Sequence, residues 1–104
     1  MIRVVVSYPT QTGSRFDLEY YLNQHIPMVH QKLEPHGLTG TSVDQGIGGG
    51  APGSPARYQI QCHLNFATME GMQAGLSAEG AALMADIPNF TDVRPEMQIN
   101  RVVR

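Results

Sequence analysis

Residues 58–66 read Tyr58-Gln59-Ile60-Gln61-Cys62-His63-Leu64-Asn65-Phe66. Apolar and polar side chains alternate without a break, and a period of two is the signature of a strand whose two faces meet different surroundings. One face carries Tyr58, Ile60, Cys62, Leu64 and Phe66 and needs a cover. The other carries Gln59, Gln61, His63 and Asn65 and needs water, a polar pocket or another subunit.

The chain on either side fits one layered arrangement. After the strand, Thr68 can cap a helix that carries Met69, Met72 and Leu76. Ser77 is positioned to cap a further helical segment that covers Leu83 and Met84 and stops before Pro88. Ile87 to Asp92 reads as irregular. Met97 to Val103 reads as a last strand with Met97, Ile99 and Val103 on one side.

Before the strand, Gly46 to Ala56 is rich in Gly, Pro and Ser and reads as a mobile loop. Leu38 to Gly46 is a weak second strand. Ahead of it, Asp17 can cap a helix, with Phe16 and Tyr21 placed as a hydrophobic staple. Leu18, Leu22, His25, Val29 and Leu33 recur at helical spacing. Pro27 lacks an N–H and crowds the carbonyl of Asn23, so a kink is expected at His25 to Pro27. Pro35 and Gly37 end the helix. Ile2 to Tyr8 is β-branched, stops at Pro9 and forms the first strand.

The order β-α-β-β-α-β defines the α+β ferredoxin-like arrangement, a four-stranded antiparallel sheet with two helices on one face. The strand 58–66 is then central. A polar second face on a central strand must meet water, a polar pocket or another subunit, and pairing of two copies through it, with some water enclosed, is the economical solution. All of 1–104 is read as a single domain.

Composition removes several function classes. The formal net charge is −2 and Lys32 is the only lysine, so no basic stripe is available for nucleic acid. No apolar run approaches the roughly twenty residues that span a bilayer. The N-terminal apolar run is too short for a secretion signal, which points to the cytoplasm. Cys62 is the single cysteine and cannot form an internal disulfide.

Three separated segments carry a resemblance. Phe16-Asp17-x-x-Tyr20-Tyr21-x-x-x-His25-x-Pro27 resembles the first-helix signature of EthD-domain proteins. Residues 49–56 followed by Tyr58 resemble their second loop. Asp86-Ile87-Pro88-Asn89-Phe90-Thr91-Asp92 resembles their segment before the last strand. The resemblance implies the ferredoxin-like fold and sheet-to-sheet pairing of two copies into a dimeric α+β barrel. It implies no single reaction. Members are associated with bacterial ether degradation, others resemble tailoring enzymes acting on polyketides or lactones, and some carry the name reductase.

His25 is the candidate catalytic residue. It lies on the apolar stripe beside Pro27, and imidazole titrates near neutrality. The competing reading is a core histidine bonded to a freed carbonyl. Tyr8 and Tyr21 are candidate pocket walls that can donate to a substrate oxygen, while Tyr20 is expected to face away. Asp86 and Asn89 are candidates to pair with His25 or bind substrate, and Asp92 is read as a turn residue. His63 would line the inside of the dimer barrel. Cys62 is expected to be buried and inert.

No cofactor or metal is expected. His25 and His30 fall on different helix faces, and no metal-ligand spacing occurs. The Gly-rich loop leads into a strand without Gly-Lys-Ser/Thr, so it is not a phosphate loop, and a flap over a pocket is its functional reading. The expected function is cofactor-independent, His-assisted proton transfer on a hydrophobic carbonyl metabolite, an isomerase or lyase chemistry. A non-catalytic dimeric binder serving an oxygenase or ether-degrading system is the alternative. A haem-binding barrel with His25 or His63 as ligand is the weaker one.

Overall fold

A computed structural model describes residues 1–104. Strand β1 spans Ile2–Pro9, β2 Leu38–Gln45, β3 Tyr58–Phe66 and β4 Glu96–Arg101. They form one antiparallel sheet in the order β2-β3-β1-β4. The first helix runs between β1 and β2, and the second, Met69–Asp86, follows β3. This is the ferredoxin-like α+β fold, with β3 and β1 central.

Register decides which side chains share a face. Val4 stands opposite Leu64 on β3 and Ile99 on β4, all on the helix side. Val5 stands opposite His63 and Gln98, on the open side. The helix side holds a single cluster that includes Val4, Tyr8, Tyr21, Leu33, Phe66, Met72 and Phe90. The open side is mostly polar around Val5, with Ser42 beside His63 and Asp44 beside Gln61.

The first helix departs from the simple expectation. Asp17 caps it by accepting from Tyr20 N at 3.0 Å, and the Phe16 and Tyr21 rings meet at 5.2 Å. Leu18–Tyr20 is α-helical, Tyr21–His25 forms a π-turn and Ile26–Leu33 is α-helical again. The N–H of Ile26 bonds back to the Tyr21 carbonyl. Pro27 explains this. Its ring would crowd the Asn23 carbonyl in a regular helix, and widening the preceding turn relieves the clash. The expected kink is therefore a π-turn. The wider turn also changes the buried face, so Tyr21 is 1% exposed while Leu22, assigned to the apolar stripe, is 45% exposed.

A 3₁₀ turn at Glu34–His36 follows, and Gly37 ends it in the left-handed region at φ 95°. The second helix is one element of 18 residues. Thr68 caps it by accepting from Gly71 N at 3.1 Å, but Ser77 starts no new segment. Ala, Met and Leu around Ser77 favour helix strongly enough to carry the backbone through it. The last strand ends at Arg101, so Val103 lies beyond it. Met97 and Ile99 face the helix side yet are 49% and 53% exposed. Their strand is the sheet edge, which the helices leave partly uncovered. No helix is long and apolar enough to cross a membrane.

The second helix approaches the 3₁₀ turn closely at Gly71. A Cβ there would meet the His36 carbonyl oxygen at 2.2 Å. Gly71→Ala should therefore destabilise the fold by about 1–3 kcal/mol, read as a lower urea midpoint with unchanged slope. An unchanged midpoint would show that the two elements can separate freely.

Candidate active site

Two loops bring the first helix and the end of the second helix together. Phe16 and Thr91 form an isolated antiparallel bridge, and Asp17 N donates to the Phe90 carbonyl at 2.7 Å. The Thr91 hydroxyl donates to the Arg15 carbonyl at 2.6 Å. Arg15 N donates to Asp92 at 3.0 Å, and its guanidinium donates to the Pro88 carbonyl at 2.9 Å. Segment 86–92 is thereby fixed against the start of the first helix. Phe90 fills the gap, 4.9 Å from the Tyr21 ring and 4.7 Å from the His25 ring.

Asp86 and His25 meet at this junction. Nδ1 of His25 lies 2.8 Å from Oδ2 of Asp86, with the two side chains 8% and 13% exposed. Asp86 Oδ1 also accepts from the Tyr20 phenol at 2.8 Å and from Asn89 Nδ2 at 2.9 Å. Burial pushes the Asp86 carboxyl upward. Hydrogen bonds from Asn89, His25 and Tyr20, with the charge His25 can carry, outweigh it and hold the carboxyl below its ordinary value. The same bond to Asp86 raises the Tyr20 phenol, because ionising it would set two anions side by side. An ionised carboxylate only accepts, so Nδ1 of His25 carries a proton, and in the neutral ring Nε2 is the acceptor.

Asp86 is the last residue of the second helix. A carboxylate there faces the negative end of the helix dipole, an unfavourable place for it. The three donors offset that cost.

His25 borders a cavity of about 260 Å³ between the sheet and the helices, where 12 of the 14 lining residues are hydrophobic. Tyr8 and Tyr21 line it, with Cys62 on the sheet side. Burial, reinforced by Cys62, pushes the Tyr8 phenol well above its ordinary value. Burial, with Cys62 and Tyr8 beside it, does the same to Tyr21. Burial raises the Cys62 thiol to about 11. All three stay protonated near neutrality, so they offer hydrogen bonds but no base and no thiolate nucleophile. The one basic atom facing the cavity is on His25, whose ring stacks on Tyr21 at 5.4 Å and 16°.

The sequence candidates therefore fall into three groups. His25, Tyr8 and Tyr21 line the cavity. Asp86 and Asn89 sit behind His25, as carboxylate and as donor to that carboxylate. His63 lies on the opposite face of the sheet, where Nε2 is 3.0 Å from Asp44 Oδ2. It takes no part in this cavity, because strand parity turns it away from Cys62 and Leu64. Tyr20 faces away from the cavity, as expected, and is not among its lining residues. Its phenol instead reaches Asp86, a bond that only the tertiary position of Asp86 makes possible. No three His, Cys, Asp or Glu side chains converge as a metal site.

A ferredoxin-like sheet with a His–Asp pair at an apolar cavity under its helices defines the structural class. The EthD domain family model matches residues 10–94, and the chain belongs to the EthD family. An EthD-like protein from Ralstonia eutropha JMP134 is 36% identical, with a TM-score of 0.91 over 99% of this chain and 92% of that one. An ethyl tert-butyl ether d (EthD) family protein from Bacillus halodurans C-125 is 20% identical, with a TM-score of 0.65 over 97% of both chains. HapK from Hahella chejuensis shares the fold at 13% identity, with a TM-score of 0.61 over 99% of this chain and 93% of that one. A search of curated proteins finds no match.

Asp86 gives a signed pH prediction. Its folded-state value is lowered from the ordinary 3.8. Its stabilisation is thus fully present above 3.8 and is lost as pH falls through the folded value. Below 3.8 the stability difference between the native chain and Asp86→Asn should therefore shrink steadily as pH falls. Denaturant titrations at stepped acid pH check this, and a difference that grew below 3.8 would contradict the assignment.

Proposed function

We propose that the protein is a cofactor-independent enzyme that moves a proton on a small hydrophobic carbonyl compound. The observation that carries this reading is the 2.8 Å His25–Asp86 pair at the wall of an apolar cavity. Nε2 of His25 takes a proton from the carbon beside the carbonyl. The C–H electron pair moves toward the carbonyl oxygen, where a hydrogen bond from Tyr8 or Tyr21 meets the developing charge. Asp86 stabilises the imidazolium and keeps its ring oriented. Returning the proton to another atom of the substrate gives an isomerisation, and loss of a leaving group gives an elimination.

Both phenols remain donors throughout, because burial keeps them protonated. Tyr20 and Asn89 keep Asp86 ionised and fixed. His25→Gln keeps a donor for Asp86 but removes the base. It should slow α-proton exchange of a bound ketone into deuterated solvent by about 10²–10⁴-fold, followed by NMR. Full exchange activity in His25→Gln would sink the reading. Tight retention of a ligand with no exchange in the native protein would point to a non-catalytic binder instead.

The active form is read as a homodimer joined through the open face of the sheet. That face has a shallow polar hollow lined by Ser7, Gln61, Gln98 and Asn100. Beside it, Nδ1 of His63 is buried without a hydrogen-bond partner. A central strand with a polar outer face needs water or another subunit over it, and a second copy answers that need. Val5 sits at the centre of this face, opposite His63 and Gln98. Sedimentation velocity should find a dimer for the native chain and a folded monomer for Val5→Arg. A native monomer at micromolar concentration would rule the pairing out.

A further inference from the structure

The second helix carries glycines at 71, 75 and 80. Two have packing reasons. A Cβ at Gly71 would strike the His36 carbonyl, and one at Gly75 would lie 3.0 Å from the His36 Cβ. Gly80 has none, because a Cβ there would meet no atom within 4 Å. A glycine inside a helix is a standing cost that alanine removes. The empty space beside Gly80 is the cavity itself, since Gly80 is one of its lining residues.

We propose that Gly80 is a specificity-determining position, bare so that the cavity admits an uncharged carbonyl compound. Room for a ring-sized compound follows from the cavity volume of about 260 Å³. The charge follows from its lining, which holds no lysine, arginine or carboxylate. A carboxylate or phosphate entering it would lose its hydration with no permanent cation in return, since the charge His25 can carry is already matched by Asp86. The neutral donors Tyr8, Tyr21 and Cys62 suit a single carbonyl oxygen. The inference rests on this cavity being the ligand site of the proposed enzyme, not on His25 moving the proton.

Acetophenone and benzoate test it, because they are close in size and shape and differ in charge. Binding is read by saturation-transfer NMR and calorimetry on the native protein, Gly80→Ala and Gly80→Leu. Acetophenone should bind the native protein at least about tenfold tighter than benzoate. Gly80→Ala should weaken it and raise Tm by about 4 °C. Gly80→Leu should lose about tenfold or more in affinity while staying folded. Equal binding of benzoate, or no binding of acetophenone, would overturn the ligand class. Unchanged affinity in both Gly80 variants, or a lowered Tm in Gly80→Ala, would overturn the role of Gly80. Failure of proton exchange alone, with these binding results intact, would overturn the catalytic reading and leave this one standing.

Discussion

The hydrogen bond between His25 and Asp86 joins residues 61 positions apart at the place where two helices meet over the sheet. Most features of the site follow from it. Asp86 can stay ionised at a helix C-terminus only because three side chains donate to it. An ionised Asp86 in turn fixes the imidazole tautomer. Removing Asp86 would leave the Nδ1 of buried His25 without its partner, and an unsatisfied buried donor costs about 1–3 kcal/mol. The site is therefore also a clasp between the helices.

The rest of the chain holds that clasp in register. Pro27 forces the turn before it to widen, and the wider turn stacks Tyr21 on His25. The bridge from Phe16 to Thr91 sets the start of the first helix against the segment that follows Asp86. Phe90, fully buried, seals the side of the His25 ring. The sheet divides the two parts of the proposal. Its helix side forms the cavity floor through Val6, Cys62 and Leu64, and its open side carries the polar surface proposed to pair.

Strand positions were legible because alternation is a local property. Residues 58–66 show it without a break, and parity alone separates His63 from Cys62. Both helix caps were legible too, since Asp17 and Thr68 act on N–H groups three residues away. The π-turn was not. A 3.6-residue period assumes a regular helix, so it placed Leu22 inward, and Pro27 showed only that some irregularity was needed. Ser77 misled for a related reason, since a good cap residue inside a good helix leaves the helix unbroken. Asp86 was readable as a candidate partner for His25, but its bond with Tyr20 depends on how the two helix ends dock, and no local pattern encodes that.

The central claim is that Asp86 holds His25 with Nδ1 protonated and Nε2 open to the cavity. Nitrogen-15 NMR of labelled histidine reads the tautomer directly. The account predicts that near neutral pH neutral His25 exists as the Nδ1–H form, with a strongly deshielded, slowly exchanging N–H that disappears in Asp86→Ala. A predominant Nε2–H form, or an equal and rapidly exchanging mixture insensitive to residue 86, would contradict it.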